Sequence, residues 1–321
     1  MNLSSLAERL TGETITISGN PDRNITRISS PETADNESLC VIWDKKALEN
    51  LSPDIPIAAP QELFDPSRTG IICPNPRALL PKLLALFSHS QAKPKGIHPS
   101  AVVAPSAKIS PDAFIGACVF VGEGCSVAEG TVIEPNASLL ANVHVGKNCL
   151  IHSGAVIGAD GFGFERTPDG LVKIPQTGGV TIGDDVEVGA CTTIDRGTMN
   201  DTVIASGTKI DNHVQIGHNV QIGRNCIICS MTGIAGSSVL EDNVTVSVQA
   251  GITDHVRIGA GTIIAGRTGV TNDIPAGSVV SGFPARPHNE AKRALVLAAD
   301  LPTLYKRVRV LEKKLAELQS R

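Results

Sequence analysis

Aromatic residues are scarce: 3% of the 321 residues, with one Trp and one Tyr. That excludes a core built on ring bulk and leaves a thin aliphatic one. No run of about 18 apolar residues occurs, so nothing reads as a membrane span. The opening stretch MNLSSLAERL has no cationic patch followed by an apolar run, and so lacks a secretory pattern. Charge of one sign is not in excess either. The net charge is −4 with 19% charged residues, which leaves no basic field for nucleic acid. The eight cysteines are scattered and read as reduced thiols of a cytoplasmic protein, used as small buried hydrophobes. Cys226 and Cys229 have the spacing of a redox or zinc pair but stand alone.

What is present is a repeat. Aliphatic residues recur every six positions from Ile97 through Val103, Ile109 and Ile115 to Ile157. They resume at Ile182, Val188 and Ile194, slip by four residues, and run from Ile204 to Val270. The fourth residue after each aliphatic is small or β-branched, as at Ala101, Cys125, Thr131 and Thr208. A period of six fits neither a helix nor one long alternating strand. It fits short strands joined by tight corners, three to a coil of about 18 residues, and roughly nine stacked coils.

Residues 1–95 lack the repeat and read as a small α/β domain. Helices are expected at Leu3–Leu10 and Arg77–Ser88, and strands at Glu13–Ser18, Leu39–Trp43 and Gly70–Cys73. Gln91–Gly96 reads as a linker. The repeat domain spans 96–287, interrupted by an inserted loop at 160–179 that carries Phe162, Phe164 and Lys173; solenoid insertions usually serve binding. Residues 288–321 form a helical segment. Leu297, Leu301, Leu304, Val308, Leu311, Leu315 and Leu318 alternate spacings of four and three, a heptad seam that needs mates. Pro302 suggests a helix start there, with Asp300 near the cap. Lys306, Arg307, Arg309, Lys313 and Lys314 make the polar side either a solvated face or a dock for an acidic partner.

The densest polar stretch is IDNHVQIGHNV, Ile210–Val220, with Asp211, Asn212, His213, Gln215, His218 and Asn219 at outward positions. His144 and His152 sit in earlier coils with no acidic or amide cluster evident; His89, His98 and His288 read as surface. His218 and His255 lie two coils and one residue apart, hence on one side, about 10 Å apart along the axis. Gly236, one coil above His218, leaves a backbone N–H approachable as an oxyanion donor. Histidine titrates near neutrality and can take a proton from a nucleophile. Base plus N–H donor suits acyl transfer. With no Ser or Cys nucleophile beside a base, direct transfer is expected. A zinc site at His213 and His218 lacks its third histidine two coils earlier, so no metal is expected.

The stretches GADGFGF, KIPQ and GACTTIDRGTMND between Gly158 and Asp201 resemble the UDP-3-O-(3-hydroxyacyl)glucosamine N-acyltransferase family of lipid A synthesis. IDNHVQIGHNV, GIAGSS, DIPAGSVVSGFPARP and the leucine helix extend the likeness over most of the chain. The resemblance implies a mainly β fold, a left-handed parallel β-helix with a nucleotide-binding α/β domain before it and helix after it. It implies a homotrimer with sites between neighbouring solenoids, acting on UDP-3-O-acylglucosamine. It implies no cofactor bound to the enzyme, because the acyl donor rides on the phosphopantetheine of acyl carrier protein. The family's base matches His218, its second histidine His255, its oxyanion glycine Gly236, and its polar neighbours Asp211, Asn212, Gln215 and Asn219. The family's F-x-x-N-x-x-Y stretch for uracil falls on Val41–Ala47, which keeps none of the three. Either Trp43 supplies the stacking surface and Asp44 accepts a hydrogen bond, or nucleotide binding is weakened, or the protein is a paralogue acting on a different amino sugar.

Overall fold

The computed structural model describes residues 1–49, 51–65, 67–88, 94–282 and 287–319. The chain divides into two compact units, Met1–Ala92 and Lys93–Arg321. Residues 91–93 of the expected linker, and His89, lie outside the described residues; Gly96 already belongs to the first solenoid strand.

In the first unit the elements run α1 (Leu3–Arg9), β1 (Thr16–Ser18), β2 (Arg27–Ser29), β3 (Ser38–Val41), β4 (Ile57–Ala59), β5 (Gly70–Ile72) and α2 (Pro76–Phe87). The sheet order is β1-β5-β4-β3-β2, with β1 antiparallel to β5 and the rest parallel. Both helices start on asparagine caps. Asn2 accepts the Ser5 amide at 2.9 Å and Asn75 the Ala78 amide at 3.2 Å, with Pro76 in the first turn where its missing N–H costs nothing. Leu3, Leu6, Leu79 and Leu83 are buried in one cluster with Leu39 and Ile71. The sequence reading missed β2 and β4, which are three residues each. Ile57–Ala59 is buried at every position, so no alternation marks it.

The second unit is a left-handed parallel β-helix with three sheets, of ten, nine and eight strands. The first face runs from Gly96–Ile97 to Val279–Val280, the second from Val102–Val103 to Gly269–Val270, the third from Lys108–Ile109 to Arg257–Ile258. Each repeat aliphatic stacks on its counterpart one coil away, as in Ile210 on Ile228, Ile216 on Ile234 and Ile222 on Leu240. From Ile115 to Val270 these side chains fill the prism and are buried, while Val103 and Ile109 of the first coil are half-buried. The small residue four positions on packs at the corner from inside. Where it is threonine, its hydroxyl donates to a backbone carbonyl, Thr131 to Gly146 at 2.7 Å and Thr208 to Gly223 at 2.8 Å, so no buried hydroxyl is orphaned there.

The corners explain the polar residues between strands. Among the described residues, fifteen non-glycine positions adopt left-handed φ between 54° and 65°, including Asn142, Asn219, Asn225, His213 and His255. Asparagine and histidine are enriched in that region. All eight cysteines are free. Burial pushes the thiols of Cys40 and Cys73 up to about 11 and raises Cys125, Cys149 and Cys226 as well, which suits small hydrophobes and not reactive thiols.

One expectation fails. Pro302 does not start a helix: α3 runs without a break from His288 to Gln319 with Pro302 inside it. The favourable spacing on both sides carries the helix past the one N–H that proline lacks. The seam leucines of α3 are exposed, from Leu297 to Leu318.

The stacking accounts for stability. Removing one rung, Ile228→Ala, is expected to cost about 2–5 kcal/mol. Denaturant unfolding checks this; a loss below about 1 kcal/mol would mean that single rungs are not the unit of cohesion.

Candidate active site

Two departures from the repeat and one histidine fall at one corner, between the second and third faces. The insertion follows Val156–Ala159 of the second face and ends at Val180–Ile182 of the third. The four-residue slip is a bulge between Thr193–Asp195 and Thr202–Ile204. His218 lies on the next coil at that corner, between Gln215–Ile216 and Gln221–Ile222. Irregular backbone therefore accumulates beside this histidine.

His218 is half-buried, and its contacts fix its ring. Asn219 Oδ1 accepts the Thr198 amide at 2.9 Å, and its Nδ2 donates to the Asn200 carbonyl at 3.0 Å, which sets the amide's orientation. The same Oδ1 stands 3.2 Å from His218 Nδ1. An oxygen there can only accept, so Nδ1 carries the proton and Nε2 holds the lone pair. Thr198 Oγ1, 3.5 Å from Nδ1, donates to Gln176 Oε1 of the insertion at 2.9 Å. The insertion also backs the ring: a methyl on Gly161 would sit 2.5 Å from His218 Cβ.

Gly236 is one coil above. A Cβ there would meet His218 Cε1 and Nε2 at 2.6 Å, so only glycine admits the imidazole in this position. Its carbonyl accepts the His255 amide at 3.2 Å, while among the described residues its own N–H donates to no partner. Gly217 keeps that amide clear, since a side chain at 217 would lie 2.8 Å from the Gly236 nitrogen. An unpaired N–H on the residue that packs against a basic ring nitrogen is the combination that a carbonyl under attack requires.

These groups line one cavity of about 370 Å³, with Phe162, Asp195, Gln215, Ile234, Asp254 and His255. Gln215 donates from Nε2 to Asp195 Oδ2 at 3.0 Å and also contacts Thr193 Oγ1. Burial pushes the Asp195 carboxyl above the ordinary carboxylate value; the Gln215 N–H and the His218 charge pull it back. His255 is exposed, its Nε2 3.9 Å from Asp254.

Asp211 and Asn212 are not part of this cavity. They lie at the corner between the first and second faces, where Asp211 accepts the Ser230 amide at 3.0 Å and Asn212 the Ala190 amide at 2.6 Å. They line a second cavity of about 360 Å³ with Glu134, His152 and Glu187. Here the sequence reading of His152 is corrected. Nδ1 is 3.0 Å from Glu134, one regular coil away, and Nε2 3.1 Å from Glu187, whose spacing the insertion hides. Among the described residues no His, Cys, Asp and Glu side chains gather as a metal site would require.

In the first unit, Trp43 lines a cavity of about 250 Å³ with Ile28, Ser29, Val41, Leu80 and Leu84, and the Arg77 guanidinium stacks 4.9 Å from its ring centroid. Asp44 turns away to accept the Ala47 amide at 3.0 Å. Sequence reasoning missed Asp195, Thr198, Gln176 and Asp254. The breaks in the repeat were the available signal for the first three.

His152 gives a pH prediction. Burial opposes its charge, but the two carboxylates outweigh burial and raise its pKa above 6.5. Its stabilising contribution is then complete below the unfolded value and is lost as pH rises through the higher folded value. Thermal melts of wild type and His152→Gln should differ most below pH 6 and converge in mildly alkaline buffer. A difference independent of pH would contradict the ion pairing.

Comparison with known proteins follows the fold. A family model described as "Bacterial transferase hexapeptide (six repeats)" matches residues 201–236, and one described as "GMPPB C-terminal domain" matches residues 97–162. UDP-3-O-acylglucosamine N-acyltransferase of Methylorubrum extorquens (strain PA1) is 50% identical over 131 residues, 41% of this chain and 37% of the relative. The Campylobacter curvus protein of the same name is 47% identical over 135 residues, 41% of this chain and 43% of the relative. The matches thus span about two fifths of these relatives' length. Among solved structures, the Francisella novicida UDP-N-acetylglucosamine acyltransferase is 27% identical with a TM-score of 0.51, over 62% of this chain and 73% of that one. The Bacteroides fragilis UDP-N-acetylglucosamine acyltransferase is 26% identical with a TM-score of 0.53, over 57% and 70%. Fold and sequence together make this chain a hexapeptide-repeat β-helix that is similar, over about two fifths of its length, to UDP-3-O-acylglucosamine N-acyltransferases.

Proposed function

We propose that the protein transfers a fatty acyl group, with or without a 3-hydroxyl, from acyl carrier protein to the 2-amine of UDP-3-O-acylglucosamine. The observation that carries this reading is the pairing of a basic Nε2 on His218 with the unpaired Gly236 N–H one coil above. The amine nitrogen attacks the thioester carbonyl and the carbonyl π electrons move to oxygen. Gly236 N–H receives the oxyanion, and His218 Nε2 takes the amine proton. The tetrahedral carbon then reforms its carbonyl and expels the thiolate. His218 returns the proton to sulfur, and the free carrier thiol leaves. No acyl-enzyme forms and no cofactor is needed.

Other features fit the proposed substrates. Trp43 and its stacked Arg77 offer a flat, cationic surface to a nucleotide. The basic residues on α3 suit the acidic carrier, and its exposed leucine seam suits association of three chains through the helix or beside it. These partners would act in the cytoplasm. A second reading keeps the chemistry and changes the acceptor to another amino sugar. It is favoured by Val41–Ala47, where Trp43 replaces the family's three uracil contacts and Asp44 is spent on a turn.

Mass spectrometry of products from acyl carrier protein thioesters, with UDP-linked and unlinked amino sugars offered together, separates the two. His218→Ala is expected to lower kcat by about 10²–10⁴. Turnover near the wild-type rate in that variant would remove the base from the mechanism.

A further inference from the structure

His218 differs from a triad histidine in one respect. Its Nδ1 is given to a neutral amide, Asn219, so no carboxylate touches the ring from behind. When Nε2 takes a proton, the cavity must hold an imidazolium that has no bonded counter-ion. The charged groups around it come from four segments. The insertion supplies Asp160, which is paired with Lys173. The corner bulge supplies Arg196, whose guanidinium donates away from the cavity to Ala141 and Gly158 carbonyls at 2.7 and 2.8 Å, and lies 3.9 Å from Asp160. Two coils above stand Asp254 and His255, with side chains 66% and 73% exposed and so screened by water. The second face supplies Asp195. It is half-buried, lines the cavity with His218, and has no cation within ion-pair distance among the described residues. Gln215 holds it there at 3.0 Å.

We propose that Asp195 is a positioning residue of the transfer. Its carboxylate, fixed by Gln215 and facing the same cavity as His218, is the counter-charge for the imidazolium formed when the amine proton moves. Held on the next strand of the sheet, it acts through space where a triad aspartate acts through a hydrogen bond. Gln215 then has a definite duty: it occupies Asp195 Oδ2 and Thr193 Oγ1 and keeps the carboxylate from turning toward bulk water. The His218 charge pulls the Asp195 carboxyl down against the effect of burial, in keeping with this placement. The inference rests on the acyl-transfer reading for its role in turnover, but the electrostatic coupling itself can be measured without a substrate.

The test is an NMR titration of ring-labelled His218 in the full chain, assigned with His218→Gln. A carboxylate favours the charged imidazole, so Asp195→Asn should lower the His218 pKa by about half a pH unit or more, and Asp195→Glu should restore most of it. An unchanged His218 titration in Asp195→Asn would overturn the inference. Asp195→Ser serves in its place if the Asn variant loses its cooperative melt. In the transfer assay the acid limb of kcat/KM should move to lower pH in Asp195→Asn, by the same amount as the NMR value. A wild-type protein that transfers no acyl group to any amine would sink the functional reading, while the titration would still decide the coupling.

Discussion

The stacking of one coil on the next, rung by rung, is the constraint on which every other feature depends. Backbone hydrogen bonds run along the solenoid axis, and each aliphatic side chain rests on its counterpart one coil away. The core is only one residue wide per face, so register cannot slip without exposing a whole column. The same rigidity fixes what lies outside. A corner residue is placed by the coils above and below it, and the imidazole of His218 meets the amide of Gly236 because their strands are paired, Ile216 with Ile234.

Function enters where the repeat is broken. The 160–179 insertion and the 196–201 bulge leave the strands in register and spend their extra residues at a single corner. Gln176 and Thr198 come from these two breaks and meet each other beside His218. A regular corner exposes one polar residue; this one builds a layered wall. The opposite end of the second face shows the contrasting use of polar corners. Asp211 and Asn212 tie coils together there, and His152 bridges two glutamates.

Much of this is legible in the sequence. The six-residue period fits three faces of short strands around a prism core. His218 and Gly236 follow from the same arithmetic. What escaped has a physical reason. Glu134 sits one regular coil before His152, but Glu187 lies 35 residues beyond it, where the insertion shifts the count. Asp195 looks like an ordinary outward residue until Gln215 is seen to hold it. Asp211 and Asn212 are close to His218 in sequence but one face away in space. Helix α3 overran Pro302, because one proline removes a single bond from a long helix.

The central claim is that the coil stack sets a bare amide against a basic ring nitrogen. Gly236→Ala probes it most directly, because the three atoms nearest the added methyl would all belong to the His218 ring, the first at 2.6 Å. Steady-state acyl transfer by this variant, with its thermal melt measured alongside, should show kcat reduced by about 10²–10³ and unfolding close to wild type. A kcat near the wild-type value in a well-folded Gly236→Ala protein would contradict the account.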